Sequence, residues 1–300
     1  MKGIILAGGS GTRLKPLTDI VCKQLLPVYD KPMIHYPLAT LINIGIKNIM
    51  IISSPSDIIS IKKTLGDGSK YGIEISYAIQ DHPRGIAEAF IIAKDFIEDD
   101  PVCLILGDNI FYGSIFNYEN FKVFYDNIKQ QKNEAVIFAY RVFDPQRYGV
   151  VELEECGYLA KSIEEKPLKP KSNWAVTGIY LYNNDVIKYA QQLKPSMRGE
   201  LEITDINQIY LSRGKLAVER LDRAVAWLDA GTHDSLLEAS NFIHTIEKRQ
   251  GLKIACLEEV AFNNKLIDKS QIEKIMNNYN KNSNYYDYLK KVINYDNLIF

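Results

Sequence analysis

The pattern of apolar and polar stretches divides the chain into two differently built halves. In the first half, short apolar runs bounded by glycine or proline alternate with segments of helical periodicity. Residues 2–7, 47–52, 73–79 and 102–106 read as strands, and the unbroken apolar character of the first and last suits a sheet buried on both faces. Residues 32–44, 54–66 and 86–97 read as helices. Ser54 and Pro55 offer an N-cap and a proline at the first helical position, and Gly45 stops the preceding helix. This alternation predicts an α/β fold with a doubly wound, mostly parallel sheet and ligands at the carboxyl ends of its strands.

The second half changes rhythm. Residues 134–142, 148–153, 158–163 and 174–182 are four strand-like runs with short connections. Helical stretches at 185–193 and 203–212 follow, then a strand at 215–221 and an amphipathic helix at 234–249 ending at Gly251. These elements predict an extension of the sheet with a second lobe over its edge. The tail from 276 is rich in Asn, Tyr and Lys, and 285–293 can still form a short helix. Nothing marks a linker or a repeat, so the expected organisation is a core over 1–240 and a helical addition over 241–300 packed on it.

The most informative local feature is the passage from the first strand, Lys2-Gly-Ile-Ile-Leu-Ala7, into Gly8-Gly-Ser-Gly-Thr-Arg-Leu14. Gly8, Gly9 and Gly11 leave backbone N–H groups open to a bulky ligand, and Arg13 adds a fixed positive charge. Phosphate, and hence a nucleotide, is the ligand this combination suits. The loop lacks the Lys-Ser or Lys-Thr pair of a P-loop and the third glycine of the dinucleotide fingerprint, which weakens ATPase and dehydrogenase readings.

Composition narrows the partners. Of 300 residues, 46% are hydrophobic and 24% charged, with a formal net charge of −1, as for a globular protein without a basic face for nucleic acid or an anionic membrane. No apolar run reaches membrane-spanning length and no signal-peptide pattern opens the chain, so a cytoplasmic location is expected. Cys22, Cys103, Cys156 and Cys256 form no CxxC and read as reduced thiols; four scattered histidines argue against structural zinc.

Several side chains carry candidate chemistry. Asp108, in Leu106-Gly-Asp-Asn109, ends an apolar strand; taken alone it serves equally as an Mg²⁺ ligand or as the cap of a turn. Asp229, in Trp227-Leu-Asp-Ala-Gly-Thr232, is a second carboxylate, and Mg²⁺ held by two carboxylates and substrate phosphates is a common phosphoryl-transfer arrangement. Lys23 and Arg13 flank the glycine loop. Lys166, in Glu164-Glu-Lys-Pro167, reads in isolation as a solvated surface lysine. Gln80 reads alone as an ordinary polar strand end, although its amide offers both a donor and an acceptor to a pyrimidine. Trp227 suits packing against a sugar or plain burial equally well.

Lys23-Gln-Leu-Leu-Pro27 and Asp30-Lys-Pro-Met33 follow the loop, and with it they resemble the opening of the sugar-1-phosphate nucleotidyltransferases. LGDNIFYG, RYGVVE, EEKPLKPKSN, AVTGIYLY, RGELEITDIN, WLDAGTHDSL and EASNFI continue the likeness in the family's order over nearly the whole chain. The resemblance implies that Asp108 and Asp229 converge on Mg²⁺, that Arg13 and Lys23 neutralise the triphosphate, and that Lys166 and Arg198 hold a sugar phosphate. It also implies nucleotide contacts from Leu6, Gly8, Gly9, Gly11, Thr12, Gln80, Gly85 and Asp108, and hexose contacts from Tyr148, Gly149, Glu165, Val176 and Trp227. Within the family the motifs are most similar to enzymes that take dTTP and glucose 1-phosphate. A homotetramer and a regulatory nucleotide-sugar site at a subunit interface are further implications. The departures are small: Ala230 stands where threonine is common, Trp174 where tyrosine is usual, residues 84–88 differ in side chains, and the stretch after Gly113 is a few residues longer.

Overall fold

The computed structural model describes residues 1–9, 11–155, 157 and 159–294. Its centre is a nine-stranded sheet. Lys2–Ala7 lies in the middle, with Asn48–Ser53 on one side and Val102–Leu106 on the other, both parallel to it, and Glu74–Ile79 parallel beyond Asn48–Ser53. This is the doubly wound half. Side-chain alternation sends Ile5 and Ala7 to one face and Ile4 and Leu6 to the other, so each strand feeds two cores. Helices His35–Asn43, Ile58–Leu65 and Tyr118–Lys129, with the three carboxy-terminal helices Leu257–Asn263, Lys269–Met276 and Asn284–Asn294, cover the first face. Glu88–Ile92, Lys94–Ile97, Asp185–Gln192 and Ile203–Ser212 cover the second. Ile4 and Ile5 are fully buried, and truncating either to alanine removes about 2–5 kcal/mol.

The second half joins the same sheet but runs against it. Trp174–Tyr182 pairs antiparallel with Val102–Leu106 through residues 179–182, and on its other edge its register with Ala135–Arg141 shifts between Val176 and Tyr180. Beyond that shift Ala175 meets Val150, so one edge of this long strand serves first the nucleotide half and then the strands Gly149–Leu153 and Ala160–Glu165. The strand expected over 158–163 is therefore observed at Ala160–Glu165; Tyr158 and Cys156 lie outside the described residues. Ala135–Arg141 and Leu216–Arg220 complete the sheet on the other edge.

Some boundaries differ from the periodicity. The first helix begins at His35 because Pro27–Val28 and Lys31–Pro32 pair as a tiny hairpin. The Ser54 hydroxyl caps a turn, accepting from the Asp57 N–H, and the helix itself starts at Ile58. The helix read over 86–97 breaks at Ala93 into two short pieces. His233–Gln250 has a capping box between Thr232 and Ser235 and a left-handed Gly251 at its end, and it runs without interruption through residue 240. Among the described residues Cys22, Cys103 and Cys256 are free, and no helix is long and apolar enough to cross a membrane.

Candidate active site

A cavity of about 520 Å³ opens at the carboxyl ends of Lys2–Ala7 and Val102–Leu106 and extends under the antiparallel half. A larger cavity of about 1410 Å³ lies between His35–Asn43 and the carboxy-terminal helices, but none of the candidate site residues lines it. Chemistry, not volume, identifies the smaller one.

The glycine loop forms one wall. Gly9 and Gly11 have φ of 108° and 57°, a region where side chains are strained, and the Thr18 hydroxyl donates to the Gly11 carbonyl at 2.8 Å. A single turn, Thr12–Leu14, follows, pinned by fully buried Leu14 and leaving Arg13 exposed at the cavity. Lys23 starts the next turn and forms an ion pair with Asp108.

The two carboxylates are brought together by a feature that hydrophobic periodicity does not predict. Asn109–Tyr112 and Ala226–Asp229 form a separate antiparallel ribbon in which Asp229 sits opposite Asn109, and the Ala230 N–H donates to the Asp108 carbonyl at 3.0 Å. Asn109 locks the joint: its amide donates to Asp108 Oδ1 at 2.8 Å and accepts from Trp227 Nε1 at 2.6 Å and from the Gly178 N–H at 3.2 Å. Gly178 has to be glycine here, since a Cβ would stand 2.4 Å from Asn109 Oδ1. Burial opposes ionisation of Asp108, but the Lys23 ammonium and the Asn109 amide hold its carboxyl below the ordinary value. Asp229 moves the other way. Burial raises it, the nearby Asp108 charge adds to the rise, and Arg147 at 3.6 Å and the Tyr148 hydroxyl at 3.4 Å only partly compensate. The same burial and the Asp229 charge push Tyr148 up to about 12.

Opposite the glycine loop, charge is densely paired. Arg198 grips Glu202 with Nε at 3.1 Å and Nη2 at 2.7 Å, and reaches Glu165 at 3.3 Å and Glu200 at 3.4 Å. Glu202 is buried and also accepts from the Ser196 hydroxyl at 2.7 Å. Glu165 accepts from Thr204 at 2.5 Å and lies 3.7 Å from Lys166 Nζ. Lys166 has φ of 42° just past the end of Ala160–Glu165, and its N–H donates to the Tyr148 carbonyl at 3.0 Å. A non-glycine residue held there costs on the order of 1 kcal/mol and turns the side chain out of the strand.

Of the residues named from the sequence, Gly8, Gly9, Gly11, Thr12, Arg13, Lys23, Asp108, Tyr148, Gly149, Glu165, Lys166, Val176, Arg198, Trp227 and Asp229 line this one cavity. Leu6, Gln80 and Gly85 do not. Leu6 packs in the second core, while Gln80, 5% exposed, stands behind Gly8, whose Cβ would be 2.6 Å from its Oε1. Gly85, at φ 106°, presses against the Leu201 backbone, where any Cβ would come within 2.3 Å of the carbonyl oxygen. Trp227 is chiefly a core residue, between Tyr140 and Tyr148 at ring distances of 5.9 and 5.1 Å. Sequence reasoning assigned no role to Asn109, Arg147 or Glu202. All three stand inside quoted motifs, but each acts on another side chain, and local sequence does not show that.

Among the described residues no three acidic, histidine or cysteine side chains cluster as a self-sufficient metal cage. Two carboxylates facing an open cavity flanked by cations suit a divalent ion that shares its remaining ligands with phosphates.

A nucleotidyl transferase family model matches residues 2–246. The chain is 53% identical over 296 residues to the glucose-1-phosphate thymidylyltransferase of Neisseria meningitidis serogroup A, covering 98% of this chain and 99% of that one. It is 54% identical to the enzyme of the same name from Mycobacterium tuberculosis, over 91% of this chain and 92% of the relative. Among solved structures, a Bacillus anthracis protein assigned to the same activity and crystallised with sucrose superposes with a TM-score of 0.73 at 44% identity, covering 81% of this chain and 94% of that one. A UDP-glucose pyrophosphorylase bound to UDP-glucose shares the fold, with a TM-score of 0.70 at 24% identity over 82% and 98% of the two chains. With its glycine loop, its paired carboxylates and these relatives, the chain belongs to the nucleotidyl transferase family, among the glucose-1-phosphate thymidylyltransferases.

Proposed function

We propose that this protein joins dTTP and α-D-glucose 1-phosphate to give dTDP-glucose and pyrophosphate. The observation that carries the reading is the gathering of Asp108, Asp229, Arg13, Lys23, Lys166 and Arg198 around one cavity. A sugar-phosphate oxygen attacks the α-phosphorus of dTTP, a new P–O bond forms, and the bond to the β-phosphate breaks with its electron pair on pyrophosphate. The nucleophile is already an anion at neutral pH, so no side chain has to remove a proton. Catalysis reduces to alignment and charge neutralisation.

In this scheme Arg13 and Lys23 stabilise the departing pyrophosphate, and Lys166 and Arg198 aim the attacking phosphate. Gly149, Glu165 and Val176 border the hexose, with Tyr148 and Trp227 behind it. Pro83, Ile86 and Leu106, apolar residues that line the same cavity as Gly8, border the base. Asp108 and Asp229 would hold Mg²⁺, which supplies Lewis-acid neutralisation of phosphate charge when bound. Lys23, now paired with Asp108, then exchanges a carboxylate for a phosphate partner. The same reading carries a cytoplasmic location and a homotetramer, and light scattering of the purified protein checks the tetramer.

The test is pyrophosphate release from glucose 1-phosphate and Mg²⁺ with dTTP, UTP, CTP, ATP and GTP in parallel. Release fastest with dTTP supports the assignment. Faster release with UTP moves the protein to the uridylyl-transferring members of the fold. No release with any nucleotide removes the catalytic reading.

A further inference from the structure

Between Arg13 and Lys23, the two cations assigned to the triphosphate, the chain makes an excursion with little of its own to hold it. Of residues 12–21 only Leu14 is buried, and Ile20 is 90% exposed. The hydrogen bonds of this stretch close locally. The Leu14 N–H donates to the Gly11 carbonyl at 2.9 Å, the Asp19 N–H to the Pro16 carbonyl at 3.1 Å, and the Thr18 hydroxyl returns to Gly11. Lys15 pairs with Asp19, four residues on. A segment with few buried apolar contacts and exposed backbone bonds opens at low free energy. Arg13 needs its backbone fixed from outside if its guanidinium is to meet a phosphate in one place.

The outside contact comes from the turn that leaves the Asp229 strand. His233 Nε2 donates to the Lys15 carbonyl at 3.1 Å. Among the described residues it is the one hydrogen bond that residues 12–21 make beyond Gly11 and themselves. Lys15 closes the Arg13 turn, its N–H donating to the Thr12 carbonyl at 3.3 Å, so a hold on Lys15 is a hold on that turn. A carbonyl only accepts, so His233 serves with a proton on Nε2, as the neutral tautomer or as the imidazolium. His233 stands on a fixed base. It opens His233–Gln250 directly after Thr232, whose hydroxyl accepts from the Ser235 N–H at 3.2 Å while the Ser235 hydroxyl accepts from the Thr232 N–H at 2.9 Å. The same turn passes other groups of the site: a Cβ on Gly231 would lie 3.9 Å from both Asp229 Oδ2 and Lys23 Nζ. Residues 229–233 thus carry one carboxylate of the site, flank the Lys23 ammonium and reach the loop two residues past Arg13.

We propose that His233 is a positioning residue that ties the Arg13 turn, through the Lys15 carbonyl, to the turn that carries Asp229, so that the triphosphate cation and the carboxylate keep one spacing. The inference rests on the nucleotidyltransferase reading above and deepens it. His233 touches no substrate in this scheme. Its effect passes through Arg13, so it serves the nucleotide end of the cavity and leaves the sugar-phosphate end alone.

The test compares full-length His233→Ala, His233→Gln, Arg13→Ala and the double variant of both alanine changes. His233 is exposed, so its truncation empties no core, and glutamine keeps an N–H donor of similar reach. The readouts are kcat/KM for pyrophosphate release with dTTP, KM for glucose 1-phosphate, and amide hydrogen exchange of residues 12–21 without substrates. His233→Ala is expected to lower kcat/KM for dTTP about fivefold and to speed exchange at 12–21 about fivefold, with KM for glucose 1-phosphate within about twofold of wild type. His233→Gln returns each value to within about twofold of wild type. In the Arg13→Ala background the added His233→Ala changes kcat/KM for dTTP less than about twofold, since no guanidinium is left to place. Unchanged exchange in His233→Ala, equal losses toward both substrates, glutamine as damaging as alanine, or additive losses in the double variant overturn the proposal. Wild-type protein in the same assay separates the two readings. Without release from dTTP the enzyme assignment fails, whereas release with unaltered exchange in His233→Ala removes only the role of His233.

Discussion

At the glycine loop the cavity wall is backbone, and its one exposed cation, Arg13, has no ion-pair partner among the described residues. Across the cavity the wall is side chain, and both cations are already engaged, Arg198 with Glu202, Glu200 and Glu165, and Lys166 with Glu165. The first end is a loop in which Gly9 and Gly11 carry no side chain, and in the proposed scheme it meets the triphosphate with backbone N–H groups and Arg13. The second holds long side chains in place through glutamates, and in the proposed scheme an entering phosphate competes with carboxylates for the same guanidinium and ammonium. A polyanionic nucleotide can be met by fixed dipoles, while a small sugar phosphate needs its charges aimed. The two Asp residues stand at the seam between these ends.

Substitutions can break that contrast. Asp108→Asn acts at the seam and has the largest effect: kcat falls roughly 10³-fold with an unaltered circular dichroism spectrum, since a neutral amide loses both the cation site and the charge opposite Lys23. Normal turnover in a folded variant would take Asp108 out of the chemistry. Lys166→Ala comes next, with kcat/KM for glucose 1-phosphate down about 100-fold and KM for dTTP little changed. If KM for dTTP rose equally, the division into two ends would fail. Arg13→Ala reverses the pattern, lowering kcat/KM for dTTP about 30-fold and sparing KM for the sugar phosphate. Glu202→Gln is the mildest. It leaves Arg198 present but loosely aimed, and KM for glucose 1-phosphate rises about tenfold while 50–200 mM salt affects the variant more than the wild type. An effect of Glu202→Gln on dTTP alone would show that the glutamate frame serves the nucleotide instead.

The parallel half was readable because its cues are local. A run such as Val102–Leu106 is apolar throughout since both of its faces are covered, and Gly8, Gly9 and Gly11 announce a tight, open loop in adjacent positions. Helix ends were readable where a cap exists, as at Gly251, and misplaced where a competing local bond decides, as at Ser54, whose hydroxyl closes a turn before the helix begins. Short strands escaped notice. Asn109–Tyr112 and Ala226–Asp229 are four residues each, too brief for a period to register, yet they carry the joint on which both carboxylates hang. His233 shows the limit from another direction: its ring reads as an ordinary helix-start side chain until the fold sets it beside the Lys15 carbonyl.

By itself the sequence determined the strand–helix alternation, the glycine loop and the identity of nearly every charged group at the cavity, because strand burial, turn conformation and side-chain chemistry are properties of neighbouring residues. Only the tertiary structure decided that Asp108 and Asp229 line one cavity, that Arg198 is gripped by Glu202, and that Gln80 turns its oxygen toward Gly8. Those relations join residues distant along the chain, or fix one side chain by another, and they exist only after sheet register and core packing have set where each backbone segment lies.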